Sequence, residues 1–100
     1  MSHSLSPSEL QLVTDILSKH LSPKKHRAFI FGSRANGKAR KYSDVDIGIE
    51  GERLKAPEYF DLLQEFEDSS LPYLVQIVRF SDVSEEFKKA ALAATIPLIL

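Results

Sequence analysis

Two short polar motifs, each placed directly beside an apolar run, constrain this chain more than any other feature. Residues 27–31 form a mostly apolar run that predicts a short buried strand, and it leads straight into Gly32 and Ser33. After a basic segment, Asp44 and Asp46 open a second run in which apolar and polar residues alternate. The sequence therefore predicts two strands, one ending in a Gly-Ser turn and the other beginning with two carboxylates.

The Gly-Ser turn is suited to holding a phosphate. Gly32 permits a close approach of the backbone or an unusual φ angle. Ser33 offers a hydroxyl and a backbone N–H at the start of a predicted short helix over residues 34–38. Because the N-terminus of a helix attracts anions, we predict that phosphate binds at Gly32 and Ser33.

The two carboxylates are spaced to share one cation. On a strand Asp44 and Asp46 point to one face, while the apolar residues 45, 47 and 49 point to the other. Alternate strand residues lie roughly 6.5–7 Å apart, so both carboxylates can reach one ion. Carboxylate oxygens suit Mg²⁺ or Mn²⁺ rather than Zn²⁺. Each motif alone is common as a turn or a cap, but together and in this order they predict a site for a nucleoside triphosphate and its metal.

The charge is unevenly distributed along the chain. The formal net charge is −1, yet residues 24–41 contain seven basic side chains and no acidic one. Such a segment attracts a triphosphate or another polyanion. Arg34 directly follows the turn, and it is predicted either to contact a phosphate or to anchor the loop. Nucleic-acid binding is the weaker interpretation, because the chain is slightly acidic and has no interleaved aromatic platform.

The remaining pattern predicts an α+β fold with helices packed on one face of a small mixed sheet, in a single domain over residues 1–100. Ser6, Pro7 and Glu9 match the start of a capped helix. The apolar tail over residues 96–100 needs cover, as a small added strand or as part of a protein interface. The other predicted elements are strands over 45–50 and 73–80, a helix with Pro57 in its first turn, and a helix capped by the segment Asp82-Val83-Ser84-Glu85 and running through Ala94.

Composition predicts a cytoplasmic protein. The chain has no cysteine, which excludes disulfides, a thiolate nucleophile and a zinc–thiolate site. No apolar run approaches the ~20 residues of a membrane span. The start, Met1-Ser2-His3-Ser4, lacks the charged and apolar regions of a signal peptide.

Gly32-Ser33-Arg34-Ala35 together with Ser43-Asp44-Val45-Asp46 resembles the signature of the DNA polymerase β-type nucleotidyltransferase superfamily. The small size resembles its minimal branch (MNT), whose members pair with HEPN-domain toxins in two-component toxin–antitoxin systems. The resemblance implies the compact nucleotidyltransferase fold, Mg²⁺ or Mn²⁺ at Asp44 and Asp46, and ATP or another NTP as substrate. It also implies a HEPN toxin from a neighbouring gene as partner, with a tyrosine hydroxyl as the acceptor of AMP.

One position departs from the family pattern. Catalytic members carry a third carboxylate on the later strand, where this chain has Gln76 between Val75 and Ile77. Glutamine is a weak, neutral metal ligand and cannot act as a general base. Two hypotheses therefore remain open: an antitoxin that binds Mg-NTP and transfers a nucleotide, and an impaired antitoxin or subunit that acts by contact alone. The preferred NTP and the oligomeric state, homo- or hetero-oligomeric, are equally open.

Overall fold

A four-stranded mixed sheet organises the chain, with strand order β3-β2-β1-β4. The computed structural model describes residues 4–40 and 42–100; Met1 to His3, on which the signal-peptide prediction rests, and Lys41 of the basic segment lie outside the described residues. The strands are β1 (His26–Phe31), β2 (Val45–Gly51), β3 (Val75–Arg79) and β4 (Ile96–Leu98). The helices are α1 (Pro7–His20), α2 (Ala56–Glu67) and α3 (Glu85–Ala91), with 3₁₀ turns at Gly32–Arg34 and Phe80–Asp82.

The strand register aligns the predicted site residues across the sheet. β1 and β2 are antiparallel, with Phe31 opposite Asp46. β2 and β3 are parallel, with Asp46 opposite Gln76. A parallel pair needs a long crossover, which α2 supplies between β2 and β3. Residues paired across strands point to the same face, so Phe31, Asp46 and Gln76 lie side by side.

α1 and α2 cover the face of the sheet opposite the carboxylates. Ser6 caps α1 through a complete capping box with Glu9, as predicted. The predicted inward face of β2 is confirmed, since Val45, Ile47 and Ile49 are buried in this core. The other buried side chains of this core include Val13, Ile16, Leu17, Leu21, Ala28, Ile30, Leu54, Leu62, Phe66 and Ile77.

A second, smaller core lies on the carboxylate face. Phe29, Phe31 and Phe80 are buried there, and Phe87 of α3 contacts two of them edge-on. A side chain at Gly48 would collide with the rings of Phe29 and Phe80, at 2.5 and 2.6 Å from the added carbon. The α+β prediction is confirmed, and packing on one face holds for α1 and α2. α3 lies on the other face because the phenylalanine side chains there need cover.

The predicted helix over residues 34–38 is wrong. The chain makes one 3₁₀ turn, Gly32–Arg34, and then turns away. Asn36 accepts a hydrogen bond from the backbone N–H of Lys38 through its side chain, and Gly37 has a φ of +80°. Both features end a helix rather than extend it.

The C-terminal apolar segment forms a strand, the first of its two predicted roles. Ile96–Leu98 pair antiparallel with β1 and make β4. α3 ends at Ala91 rather than at Ala94, because the chain must turn back before it reaches this strand. Across residues 4–40 and 42–100, every helix is too short or too polar to cross a membrane.

Candidate nucleotide and metal site

The Gly-Ser turn lies directly against one of the two carboxylates. Gly32 has a φ of +72°, and a carbon added to its Cα would overlap Oδ2 of Asp46. The backbone N–H groups of Ala35 and Asn36 donate to the Gly32 carbonyl, at 3.0 and 3.1 Å. Ser33, the other predicted phosphate residue, is half-buried in the same turn, where its carbonyl accepts from Lys38. Glycine is therefore favoured here by its conformation, and any larger residue would also require the Asp46 carboxylate to move.

Asp46 carries an unfavourable charge in this arrangement. Burial raises the pKa of its carboxyl, and the negative charge of Asp44 raises that pKa further. Asp44 is half-buried just before β2. The two carboxylates, which were predicted to share one face, are thus close enough to repel each other. A divalent cation would relieve both causes of the raised pKa.

Gln76 is a third polar side chain beside Asp44 and Asp46. It lies opposite Asp46 in β3 and donates a hydrogen bond from Nε2 to Oδ2 of Asp44, over 3.3 Å. The amide therefore occupies the position at which the resemblance implies a third carboxylate. Within residues 4–40 and 42–100, no group of three or more His, Cys, Asp or Glu side chains is placed to hold a metal ion.

The donor set fits one hard cation. Two carboxylates supply charged oxygen ligands, and the amide of Gln76 has a neutral carbonyl oxygen beside them. Mg²⁺ is commonly bound by one or two carboxylates together with the phosphates of its substrate. A second ion would need further charged ligands, which Gln76 does not provide.

Arg34 anchors the loop that precedes β2. Its guanidinium donates to the carbonyl of Ser43 over 2.7 Å and to that of Asp44 over 3.3 Å. Its Cζ lies 4.4 Å from the centre of the Tyr73 ring, and the side chain is only 1% exposed. Of the two predicted roles, the structure shows the anchoring one. Tyr73 is a contact that the sequence did not reveal, because it lies 39 residues further along the chain.

Two basic residues of the predicted segment, Lys24 and Lys25, precede β1 and lie at the opposite end of that strand from the Gly-Ser turn. Lys24 is exposed at the far end of β1, and Lys25 lies 3.7 Å from Glu52 across the sheet end. Tyr42 is 70% exposed on the loop before Asp44. Lys24 and Lys25 are therefore separated from the Gly-Ser turn by the whole length of β1.

Comparison with known proteins identifies the family. The family model described as polymerase beta, nucleotidyltransferase, matches residues 11–99. The chain belongs to this family. It is also 37% identical over 86 residues to the probable protein adenylyltransferase MntA of Haemophilus influenzae, an alignment that covers 85% of this chain and 74% of the relative. The family predicted from the two sequence motifs is confirmed.

Solved structures share the fold. A toxin–antitoxin complex with AMP-PNP matches with a TM-score of 0.73 at 22% identity, covering 90% of this chain and 72% of that one. The MNT antitoxin bound to a tri-AMPylated Shewanella oneidensis HEPN toxin matches with a TM-score of 0.62 at 24% identity, covering 90% and 71%. At these identities the likeness establishes the nucleotidyltransferase fold.

Proposed function

We propose that this chain is a nucleotidyltransferase-type antitoxin. It binds ATP with Mg²⁺ or Mn²⁺ through Asp44, Asp46, Gly32 and Ser33, and transfers AMP to a tyrosine hydroxyl of a HEPN-type partner toxin. The observation that carries the proposal is the close approach of the Gly32 backbone to Asp46, beside a second carboxylate. The relative MntA is a probable protein adenylyltransferase, and one solved neighbour holds AMP-PNP.

The turn and the carboxylates bind different parts of Mg-ATP. Gly32 and Ser33 bind the β- and γ-phosphates, and Asp44 and Asp46 bind the metal. A cation held by Asp44 and Asp46 would neutralise charge on the phosphate oxygens, which is the main requirement of phosphoryl-type transfer. Arg34 keeps Asp44 in place through its two hydrogen bonds to the loop backbone.

The proposed step balances without a further cofactor. The tyrosine oxygen of the toxin forms a bond to the α-phosphorus of ATP, the bond to the β-phosphate oxygen breaks, and pyrophosphate leaves. The phenolic proton passes to solvent, because Gln76 has no basic atom to accept it. A missing general base typically costs 10²–10⁴-fold in rate. We therefore expect slow transfer.

Binding is tested by thermal unfolding with ligand. Mg-ATP should raise the Tm of wild type, since a ligand at 100 times its Kd stabilises by about 2.7 kcal/mol. The variant Asp44→Ala/Asp46→Ala should show no such rise. The matched control is Asp61→Ala/Asp68→Ala, two exposed carboxylates of the α2 region, which should respond like wild type. No stabilisation of wild type at millimolar Mg-ATP would refute the nucleotide site.

A second candidate, an antitoxin that acts by contact alone, is favoured by one observation. The amide of Gln76 is hydrogen-bonded to Asp44, so the position of the third carboxylate is filled by a neutral group. Intact mass of the HEPN toxin after incubation with Mg-ATP separates the two functions. Wild type, Gln76→Asp and Asp44→Asn are compared side by side.

Three outcomes are distinct in the mass experiment. A gain of one or more AMP units with wild type and none with Asp44→Asn supports transfer. A gain only with Gln76→Asp supports an antitoxin that acts by binding, because it lacks the carboxylate needed for transfer at position 76. A stable complex without a mass gain in any sample supports contact alone.

A further inference from the structure

A cavity of about 290 Å³ lies between the Gly-Ser turn and α3. Phe31, Gly32 and Asn36 line one side of it, and Phe87 with Ala90 lines the other. The alanines at this end of α3 leave the space open, and the walls are mostly apolar. Neither the metal ligands nor the loop anchor uses this cavity.

The cavity is continuous with the proposed phosphate site through one residue. Gly32 lines the cavity, and the same residue lies against Asp46. Phe31, a second wall residue, is the strand partner of Asp46. A molecule whose phosphates contact Gly32 can therefore extend into the cavity without leaving the protein surface.

We propose that this cavity is the subsite for a purine base, an inference that rests on the proposed nucleotide function. An apolar cavity of about 150 Å³ is enough to hold benzene, so the larger space here accommodates a two-ring base. Phe87 is held edge-on by Phe31 and Phe80, at 6.1 and 6.0 Å between ring centres, and is still 41% exposed. An accessible aromatic ring of this kind stacks on nucleobases.

Asn36 supplies the polar contact. Its Oδ1 accepts from the backbone N–H of Lys38 over 3.1 Å, which fixes the orientation of the amide. Within residues 4–40 and 42–100 the Nδ2 group makes no hydrogen bond, so it is available to donate to a ring nitrogen or carbonyl of a base. Ala90 and Ala91, at the C-terminal end of α3, also line the cavity. The partial negative charge there favours a neutral base over a phosphate.

Calorimetric titration in the presence of Mg²⁺ tests the subsite. The ligands are ATP, GTP, CTP, UTP and inorganic tripolyphosphate, which carries the phosphates without a base. Wild type should bind the purine triphosphates at least about tenfold more tightly than tripolyphosphate and more tightly than the pyrimidine triphosphates, since base–aromatic stacking contributes ~1–3 kcal/mol.

Ala90→Leu fills the cavity from an exposed position of α3. It should abolish the purine preference and leave tripolyphosphate affinity unchanged. Ala56→Leu, the same change at the exposed first position of α2, should behave like wild type. Asn36→Asp keeps the acceptor for Lys38 and removes the donor. It should lower the ratio of ATP to tripolyphosphate affinity even if Ala90→Leu does not fold.

The titrations distinguish failure of the base subsite from failure of the proposed nucleotide function. If wild type binds tripolyphosphate as tightly as ATP, or if Ala90→Leu keeps the purine preference, the subsite is refuted and the phosphate and metal site stands. If Ala90→Leu keeps the purine preference but no longer binds the HEPN toxin, the cavity is occupied by a side chain of the toxin. That result also overturns the inference. If wild type binds neither ATP nor tripolyphosphate, the proposed function fails and the subsite with it.

Discussion

Asp46 shows how a single residue links stability to the proposed chemistry. Burial and Asp44 raise its pKa, so the folded protein binds this proton more tightly than the unfolded chain does. The resulting stability is fully present below the ordinary aspartate pKa of about 3.9 and is lost as pH rises through the raised value. The site is therefore least stable at neutral pH, where a cation would bind.

Replacing this charge should stabilise the protein. We expect Asp46→Asn to melt above wild type at neutral pH, with the difference disappearing under acidic conditions. Thermal unfolding as a function of pH measures it. Asp61→Asn, an exposed aspartate of α2, is the control and should leave the Tm unchanged. A lower Tm for Asp46→Asn at neutral pH would contradict the assigned cause.

A comparison of Gly32 with Gly37 separates the cost of a positive φ angle from the cost of a steric clash. Both have positive φ angles, +72° and +80°, but only Gly32 has a neighbour that an added carbon would meet. A left-handed conformation costs a non-glycine residue roughly 1–2 kcal/mol. We expect Gly37→Ala to lose about that much, and Gly32→Ala to lose more because Asp46 must also move. Urea unfolding gives both free energies, and equal losses would refute the close approach to Asp46.

At the residue scale, local pattern was enough to predict the carboxylate pair and the turn. Asp44 and Asp46 follow from strand alternation, and Gly32 follows from its place after a buried strand. Two roles for Arg34 stayed open, because its hydrogen-bond partners depend on the path of the loop that returns to Asp44. Asn36 and Phe87 were missed as cavity residues for the same reason.

At the element scale, one buried side chain connects the 3₁₀ turn to the loop before β2. Removing Arg34 leaves the carbonyls of Ser43 and Asp44 without this donor, and a buried group left unpaired costs about 1–3 kcal/mol. We expect Arg34→Met to lower the free energy of unfolding by about 2–4 kcal/mol and to weaken Mg-ATP binding. Chemical denaturation and calorimetry measure the two effects.

The exposed Arg40 offers a control for charge. Arg40→Met removes a positive charge from the same loop and should change stability by less than about 0.5 kcal/mol. If Arg34→Met is equally mild, Arg34 does not anchor the loop. If Arg40→Met weakens Mg-ATP binding as strongly as Arg34→Met, the effect is one of net charge.

Elements with strong local signals were predicted best. α1 follows from the Ser6 capping box, and β2 from alternation. The predicted helix over residues 34–38 is wrong because Asn36 and Gly37 end it after one turn. α3 is shorter than predicted, since the chain must reverse to bring β4 beside β1, and β3 is shorter because Phe80 already belongs to a 3₁₀ turn.

At the scale of the whole molecule, β3 and β4 are the edge strands of the sheet, and β4 contains a proline. Pro97 lies in the middle of β4 and has no N–H to offer a neighbouring strand. Ile99, directly after the strand, is 89% exposed, so an apolar surface adjoins this edge. Such edges aggregate unless they are protected.

We expect Pro97→Val to increase self-association by restoring an outward N–H beside this apolar surface. Light scattering over a concentration series measures the effect. Pro72→Val, an exposed proline outside the strands, is the control and should remain like wild type. Unchanged scattering by Pro97→Val would show that the proline does not protect the edge.

The overall architecture was predictable only in outline. The order of helices and strands indicates an α+β fold, and the motif resemblance supplies the family. The strand order β3-β2-β1-β4 and the position of α3 over Phe29, Phe31 and Phe80 depend on contacts between distant parts of the chain, which local pattern does not encode.

The in-register pairing of Gln76 with Asp46 has a genetic consequence. Both glutamine codons become glutamate codons by changing their first base from C to G, so a single point mutation adds a carboxyl group at this position. An aspartate requires two base changes. The coding sequence of this chain therefore stands one nucleotide away from placing a third acid in the site, where the new carboxylate would face Asp44 in place of the amide donor.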